Sequence, residues 1–212
     1  IGREVALKFL REERSGSSSG GTSPADRFER EARIQGQLEH PSVVPVYDMG
    51  RTHEERHFLS MKLIQGVTLK ERIIELGESR LDPEQMTSLL RMFLKLCEAV
   101  AYAHDRGVLH RDLKPSNVMV GDFGQVYILD WGLARVIATS DDSKQDESKR
   151  VSKPPGLDST PDGATIGTPS FMAPEAVIQQ NESVDFRVDV FGLGAILYFM
   201  IAGQPPYTGE TT

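Results

Sequence analysis

His110-Arg111-Asp112-Leu113-Lys114-Pro115-Ser116-Asn117, with Asp130-Trp131-Gly132 beginning thirteen residues after Asn117, decides the reading of this chain. The two stretches set a carboxylate able to accept a proton, Asp112, near two side chains with hard oxygen donors, Asn117 and Asp130, at fixed offsets. Such a set suits phosphoryl transfer, which asks for positioning and charge neutralisation more than for covalent help. Taken alone, His-Arg-Asp would be a surface turn, because Asp105-Arg106-Gly107 just before it reads as a helix C-terminus closed by glycine. The length of the ordered run and the second motif behind it outweigh that reading.

Asp122-Phe123-Gly124 lies only five residues after Asn117 and competes with Asp130 as the acidic partner. The flanking stretches 117–120 and 125–129 are apolar and β-prone, so residues 121–124 read as a hairpin turn. The metal-binding acid is then expected where the second strand ends, at Asp130. Trp131 adds an indole there, which needs room and an acceptor for its N–H.

These motifs resemble the catalytic and magnesium loops of protein kinases, H-R-D-x-K-x-x-N and a variant of D-F-G. The resemblance implies an α+β, bilobal protein-kinase-like fold. A small antiparallel β-sheet lobe with one αC-type helix would occupy residues 1–64, a mainly helical large lobe 65–212, and an activation segment 130–175. It implies ATP and Mg²⁺ as cofactors, Asp112 as the base that accepts or orients a substrate hydroxyl, and Asn117 and Asp130 as metal ligands. Lys114 would set a positive charge near the transferred phosphate, and lysine at that place accompanies Ser/Thr specificity in the family. Protein Ser/Thr hydroxyls are therefore the expected substrates, with autophosphorylation in trans as a further expectation.

Other stretches extend the likeness. Val5-Ala6-Leu7-Lys8, in a strand over 4–10, resembles the V-A-x-K strand whose lysine pairs with the α- and β-phosphates, although a lysine in an apolar strand is by itself an edge or solvent-facing residue. Residues 11–22 have the Ser/Gly composition of a flexible connector. Ser23-Pro24 supplies an N-cap and a first-turn proline for a helix to about Leu38. Within it, Phe28-Glu29-Arg30-Glu31-Ala32, followed by His40-Pro41, resembles αC, which makes Glu31 the partner of Lys8 and Glu29 the nearest competitor. Residues 43–50 and 57–64 read as two more strands. Similarity makes Met61 the gatekeeper beside the nucleotide base and gives the backbone of Lys62 and Ile64 the adenine contacts. Lys62 stands where the family often has Glu, which matters little if backbone groups make those contacts.

Asp82-Pro83-Glu84 opens a long helix in which Met86, Leu89, Leu90, Phe93, Leu96, Cys97 and Val100 recur at helical spacing. It reads as core, with Cys97 as a small buried hydrophobe. Residues 139–163 are polar and charged and read as disordered when unmodified. The run from Gly167-Thr168-Pro169 to Ala173-Pro174-Glu175 resembles the substrate-docking loop and the A-P-E motif of kinases. Thr165, Thr160 and Ser159 lie where such kinases are phosphorylated, Thr165 first among them, with Arg111 as the cation that a phosphate could order itself against. Thr168 is expected to hydrogen-bond near Asp112 and Lys114. Asp189 resembles the family's buried aspartate that binds backbone N–H groups of the catalytic loop; capping its own helix is the other use open to it.

The 212 residues are 39% hydrophobic, enough for a sizeable core, and the net charge of −7 argues against a nucleic-acid surface. One cysteine excludes an internal disulfide and points to the reducing cytoplasm. The longest strongly apolar run, 190–203, is shorter than the roughly 18 residues of a membrane span and reads as a buried helix; no signal peptide is visible. A longer parent could still be membrane-anchored. The chain starts at Ile1 and stops just after a Pro-Pro loop, so it reads as truncated at both ends, without the Gly-rich loop and the last helices. Two other functions compete. A pseudokinase-like interaction module is opposed by the presence of Lys8, Glu31, Asp112, Asn117 and Asp130. A small-molecule phosphotransferase of the same fold would lack the Gly-Thr-Pro and Ala-Pro-Glu elements.

Overall fold

The computed structural model describes residues 2–10, 23–77, 81–136, 169–178 and 184–207. Its first part is an antiparallel sheet of β1 (Val5–Phe9), β2 (Val46–Arg51) and β3 (His57–Lys62), ordered β1-β3-β2. Strand alternation puts Lys8 on the face opposite to Leu7 and Phe9. Lys8 stands across the ladder from Leu59, hence on the same face, and Leu59 is buried against Phe28 and Ala32 of helix α1 (Pro24–Gly36). The lysine therefore leaves the sheet toward α1. That helix starts where Ser23 and Asp26 bond each other's backbone N–H groups in a capping box, with Pro24 in the first turn. Phe28 and Ala32, one turn apart, face the sheet, and Glu31 is buried beside them.

β2 begins at Val46, three residues later than the expected strand. Val43 instead forms a parallel bridge to Ile128, whose N–H donates to Ser42 O at 2.8 Å, while Gln35 Nε2 donates to Val44 O at 2.8 Å. Residues 42–44 are thereby spent on joining the small lobe to the large one rather than on extending the sheet.

In the second part, β4 (Val67–Thr68) runs directly into α2 (Leu69–Leu76), closed by a reciprocal cap between Thr68 and Glu71. Helix α3 (Pro83–Asp105) is capped by Asp82 and buries Leu89, Met92, Leu96, Ala99, Val100 and Ala103. Cys97 is half-buried rather than buried, because it lies beside this stripe and not within it. After α3 come β5 (Val108–Leu109), then β6 (Val118–Val120) and β7 (Val126–Ile128), a hairpin to which β4 adds in the order β4-β6-β7. β8 (Arg135–Val136) pairs with β5, and α4 (Pro174–Ile178) precedes α5 (Arg187–Ala202). α5 sends Ile196, Phe199 and Met200 into the core shared with α3. It is not buried all round: Val190, Tyr198 and Ile201, at helical spacing, form an outer stripe, with Val190 and Ile201 each 58% exposed.

No described helix is long and apolar enough to cross a membrane. The connector 11–22, the polar stretch 139–163, Ser159, Thr160, Thr165, Gly167 and Thr168 lie outside the described residues, as does most of the segment 130–175.

Candidate active site

α3 ends at Asp105 with Arg106 as its C-cap, and Gly107 takes φ +73°, a left-handed turn open to glycine at little cost. β5 then delivers His110 into the interior. Its Nδ1 accepts the N–H of Asp112 at 3.2 Å and its Nε2 donates to Leu129 O at 3.1 Å, so both ring nitrogens are used to pin the loop. Arg111 also has positive φ, +70°, a conformation costing a non-glycine residue about 1 kcal/mol. Asp189 offsets that strain. Its Oδ1 accepts Arg111 N–H and its Oδ2 accepts His110 N–H, both at 2.8 Å, and His104 Nε2 donates to Oδ2 at 2.8 Å.

Asp189 is 1% exposed, and its carboxylate is engaged by the loop rather than by an N-cap, since α5 has Phe186 at that place and no side-chain cap. Burial alone would raise its pKa. The His104 bond and the backbone N–H groups of His110 and Arg111 outweigh burial and hold it below the usual carboxylate range. One turn on, Gly192 lets α5 touch the same loop: a Cβ there would sit 2.9 Å from Leu113 Cβ.

The loop so held presents Asp112 with one oxygen committed. Lys114 Nζ donates to Oδ2 at 2.7 Å and Asn117 Nδ2 to the same atom at 2.9 Å, while Asn117 Nδ2 also reaches Asp112 O at 2.9 Å. Oδ1 of Asp112 has no hydrogen-bond partner among the described residues. Leu129 N–H donates to Asn117 O at 2.8 Å, which ties the end of β7, and with it Asp130, to this loop.

Asp130 follows at φ +58°, and its Oδ1 accepts from Lys8 Nζ at 3.2 Å; Lys8 also donates to Glu31 Oε1. Glu31 is thus the partner of Lys8, while Glu29 turns to Arg33 at 3.1 Å and His57 at 3.6 Å. Burial pushes the Glu31 carboxyl up against the pull of the Lys8 ammonium. For Lys8 burial acts downward, and the carboxylates of Glu31 and Asp130 override it, so its pKa is raised. Gly132 makes room for the cluster, since a Cβ there would lie 3.1 Å from Asp130 Oδ1 and 3.2 Å from Glu31 Oε2. Asp122, by contrast, is exposed in the β6–β7 turn, and its neighbour Phe123 is 89% exposed.

Trp131 is 1% exposed and packs edge-on against His110, ring centroids 4.8 Å apart. Its N–H is buried and has no hydrogen-bond partner among the described residues. Such a donor costs about 1–3 kcal/mol, comparable to the packing lost when the indole is trimmed to a phenyl ring. Trp131→Phe is therefore expected to leave stability to urea nearly unchanged or to raise it. A loss above about 2 kcal/mol would mean that the N–H is satisfied in the folded protein.

The remaining expected residues lie along the connector between the lobes. Met61 ends up half-buried against the Phe28, Ala32 and Leu59 cluster. Lys62 donates its N–H to Pro45 O at 3.0 Å and its ammonium to Tyr127 Oη at 2.8 Å. Ile64 is half-buried, and two residues on Gly66 has φ +144° with its missing Cβ only 2.1 Å from Val120 O, so the connector lies directly on the hairpin backbone. His104, Gly66, Gly132 and Gly192 escape sequence reasoning, since nothing in helical or strand spacing marks a side chain or a space filled from another element. Arg30 escapes it too. It donates to Ala134 O at 3.2 Å, and burial together with the charges of Arg111 and Arg135 lowers its pKa.

The family profile described as "Protein kinase domain" matches residues 1–212. The chain is 38% identical over 196 residues to "Serine/threonine-protein kinase PknD" of Protochlamydia amoebophila, covering 87% of this chain and 19% of that protein. It is 33% identical over 212 residues to "Serine/threonine-protein kinase PknB" of Mycobacterium tuberculosis, covering 99% of this chain and 30% of the relative. "Serine/threonine-protein kinase PknD" of Chlamydia trachomatis is 37% identical over 217 residues, with coverages of 97% and 22%. The chain thus spans between about a fifth and a third of the length of these bacterial relatives. With the profile matched along its whole length, the chain belongs to the protein kinase family.

Proposed function

We propose that this chain carries the catalytic centre of an ATP- and Mg²⁺-dependent kinase that phosphorylates Ser/Thr hydroxyls of proteins. The observation that carries the reading is the convergence of Lys8, Glu31 and Asp130 in one ion cluster, tied through Leu129 and Asn117 to a loop in which Asp112 Oδ1 has no partner among the described residues. Asp112 orients the substrate hydroxyl and accepts its proton, and Lys114 beside it screens the incoming charge. Lys8, positioned by Glu31, holds the α- and β-phosphates. Met61 borders the base, and the backbone of Lys62 and Ile64 meets the adenine edge.

The donor set fits Mg²⁺. Asn117 commits its amide nitrogen to Asp112, which leaves its oxygen for a cation, and Asp130 adds a carboxylate. When bound, Mg²⁺ would neutralise charge on the phosphates. The half-buried single thiol supports a cytoplasmic setting for this part of the protein. Burial and, after it, the charges of Arg111 and Arg135 lower the Arg30 pKa, and a phosphate on the activation segment, Thr165 first, then Thr160 or Ser159, would add a negative charge that these arginines could order.

Transfer of label from [γ-³²P]ATP tests the reading in the full-length protein. Wild type with Mg²⁺ is expected to label Ser or Thr of a protein acceptor, and Lys8→Met to lose about 100-fold or more of kcat/KM. A wild type that binds Mg·ATP and transfers nothing would overturn it and leave the interaction-module reading standing.

A further inference from the structure

Between the connector and the β6–β7 hairpin lies a cleft of about 210 Å³ lined by Lys62, Leu63, Ile64, Gln65, Phe123 and Tyr127 among others. Its walls are fixed. Gly66 sits against Val120 O, and the hairpin turn is closed by Gly121 N–H to Gln125 O and by Gly124 N–H to Gly121 O, each at 2.9 Å, with Phe123 N–H donating to Gln125 Oε1 at 3.1 Å. This braced turn holds Phe123 out at 89% exposure, the highest among the large apolar side chains described, and Leu63, 40% exposed, stands across the cleft. A rigid turn that displays a phenyl ring has already met the ordering cost of a contact made there.

The charge is as specific as the shape. Lys62 Nζ is held at 2.8 Å by the phenol of Tyr127 and lies 5.0 Å from its ring centroid. Lys95 Nζ donates to Gly124 O at 2.6 Å on the far side of the turn. Both ammonium groups thus rest on neutral acceptors, and neither forms an ion pair among the described residues. Asp122 lines the same cleft but bridges to neither. With Lys62 and Asp122 in the lining and Lys95 on the turn behind it, the surroundings of the exposed phenyl ring carry two cations to one carboxylate, a local excess of positive charge in a chain with 31 acidic and 24 basic residues.

We propose that this cleft docks a short extended segment of a partner protein in which a carboxylate flanks an aromatic or leucine side chain. The apolar side chain lies between Phe123 and Leu63, and the carboxylate reaches Lys62, with Lys95 strengthening the field. The volume decides against a nucleotide or another whole small molecule, whose sites run from about 300 to 1,000 Å³, and in favour of one or two peptide side chains. Net charge decides against nucleic acid. Because the cleft backs onto Lys62 and Ile64, docking there would also tune nucleotide affinity; that coupling, and only that, rests on the proposed adenine contacts.

A fluorescein-labelled peptide, Gly-Glu-Leu-Phe-Asp-Gly, titrated into the full-length protein and followed by anisotropy, tests the docking. Saturable binding is expected, weakened at least about fivefold by Phe123→Ser and by Lys62→Gln, with the fold of each variant checked by circular dichroism. The counterpart Gly-Lys-Leu-Phe-Lys-Gly is expected to bind at least about fivefold more weakly than the acidic peptide. Lys8→Met, which removes the phosphate-holding ammonium under the proposed function, should bind the acidic peptide like wild type, so the two ideas fail separately. No saturation at millimolar peptide, affinities within twofold across the variants, or equal binding of the basic peptide would each overturn the proposal.

Discussion

Asp112→Asn is expected to lower kcat by about 10²–10⁴-fold while leaving the affinity for Mg·ATP within a few-fold of wild type. The substitution keeps the shape of the side chain but reverses the polarity of Oδ1, the atom without a partner among the described residues. Lys114 and Asn117 both donate to Oδ2, so the carbonyl of an asparagine would have to turn toward them, leaving the amide NH₂ where the substrate hydroxyl needs an acceptor. Nothing else in the site moves: Lys8, Glu31 and Asp130 form their cluster without Asp112. Steady-state transfer to a Ser/Thr acceptor, with nucleotide affinity measured by calorimetry on the same preparation, separates the two effects. A kcat within tenfold of wild type would remove Asp112 from the proposed mechanism.

Asp189→Asn should be the most damaging substitution for stability, by about 3–5 kcal/mol, because it breaks a buried charge from its donors. The carboxylate takes three donors on two oxygens, and an asparagine must turn its NH₂ toward at least one of them, setting donor against donor in a site 1% exposed. Arg111 then keeps its left-handed backbone without the bond that offsets its cost. The pH dependence follows from the direction of the shift. Asp189 has a depressed pKa in the folded protein, so its stabilisation is complete above the unfolded value of about 3.9 and is lost as pH falls through the lower, folded value. Wild type should show an acid limb below about pH 4 that Asp189→Asn lacks, in urea melts taken between about pH 3 and 7. Equal slopes in the two proteins would mean that another carboxylate governs the acid limb.

Much of this arrangement is legible along the chain, for reasons that differ from residue to residue. Asp130 can be preferred to Asp122 because two β-prone stretches demand a turn between them, and a turn puts its acid in water; the hairpin and the exposed Asp122 follow that logic. Glu31 can be preferred to Glu29 because Phe28 and Ala32 mark the inner stripe of α1 and Glu31 adjoins it. The two-residue strands β4, β5 and β8 are invisible to the same reasoning, since a period cannot be read from two residues. α2 had a readable start in Thr68 and Glu71, yet its eight residues carry too short an apolar pattern to stand out beside α3. His104 lies on α3 as one more polar residue, and only the arrival of α5 some eighty residues later gives it Asp189 to bind. Val190 and Ile201 read as core because apolar character runs all round α5, whereas burial depends on which face meets α3.

Trp131 also has an optical consequence. It is the one tryptophan in these 212 residues, and it is buried between the two loops with its ring 4.8 Å from that of His110. The tryptophan emission of this chain, excited selectively beyond the absorption of its five tyrosines, therefore comes from a single site, shielded from water and adjoining an imidazole. Any rearrangement of residues 130–132 changes the polarity around that fluorophore, so the loop can be followed in real time in the unlabelled protein.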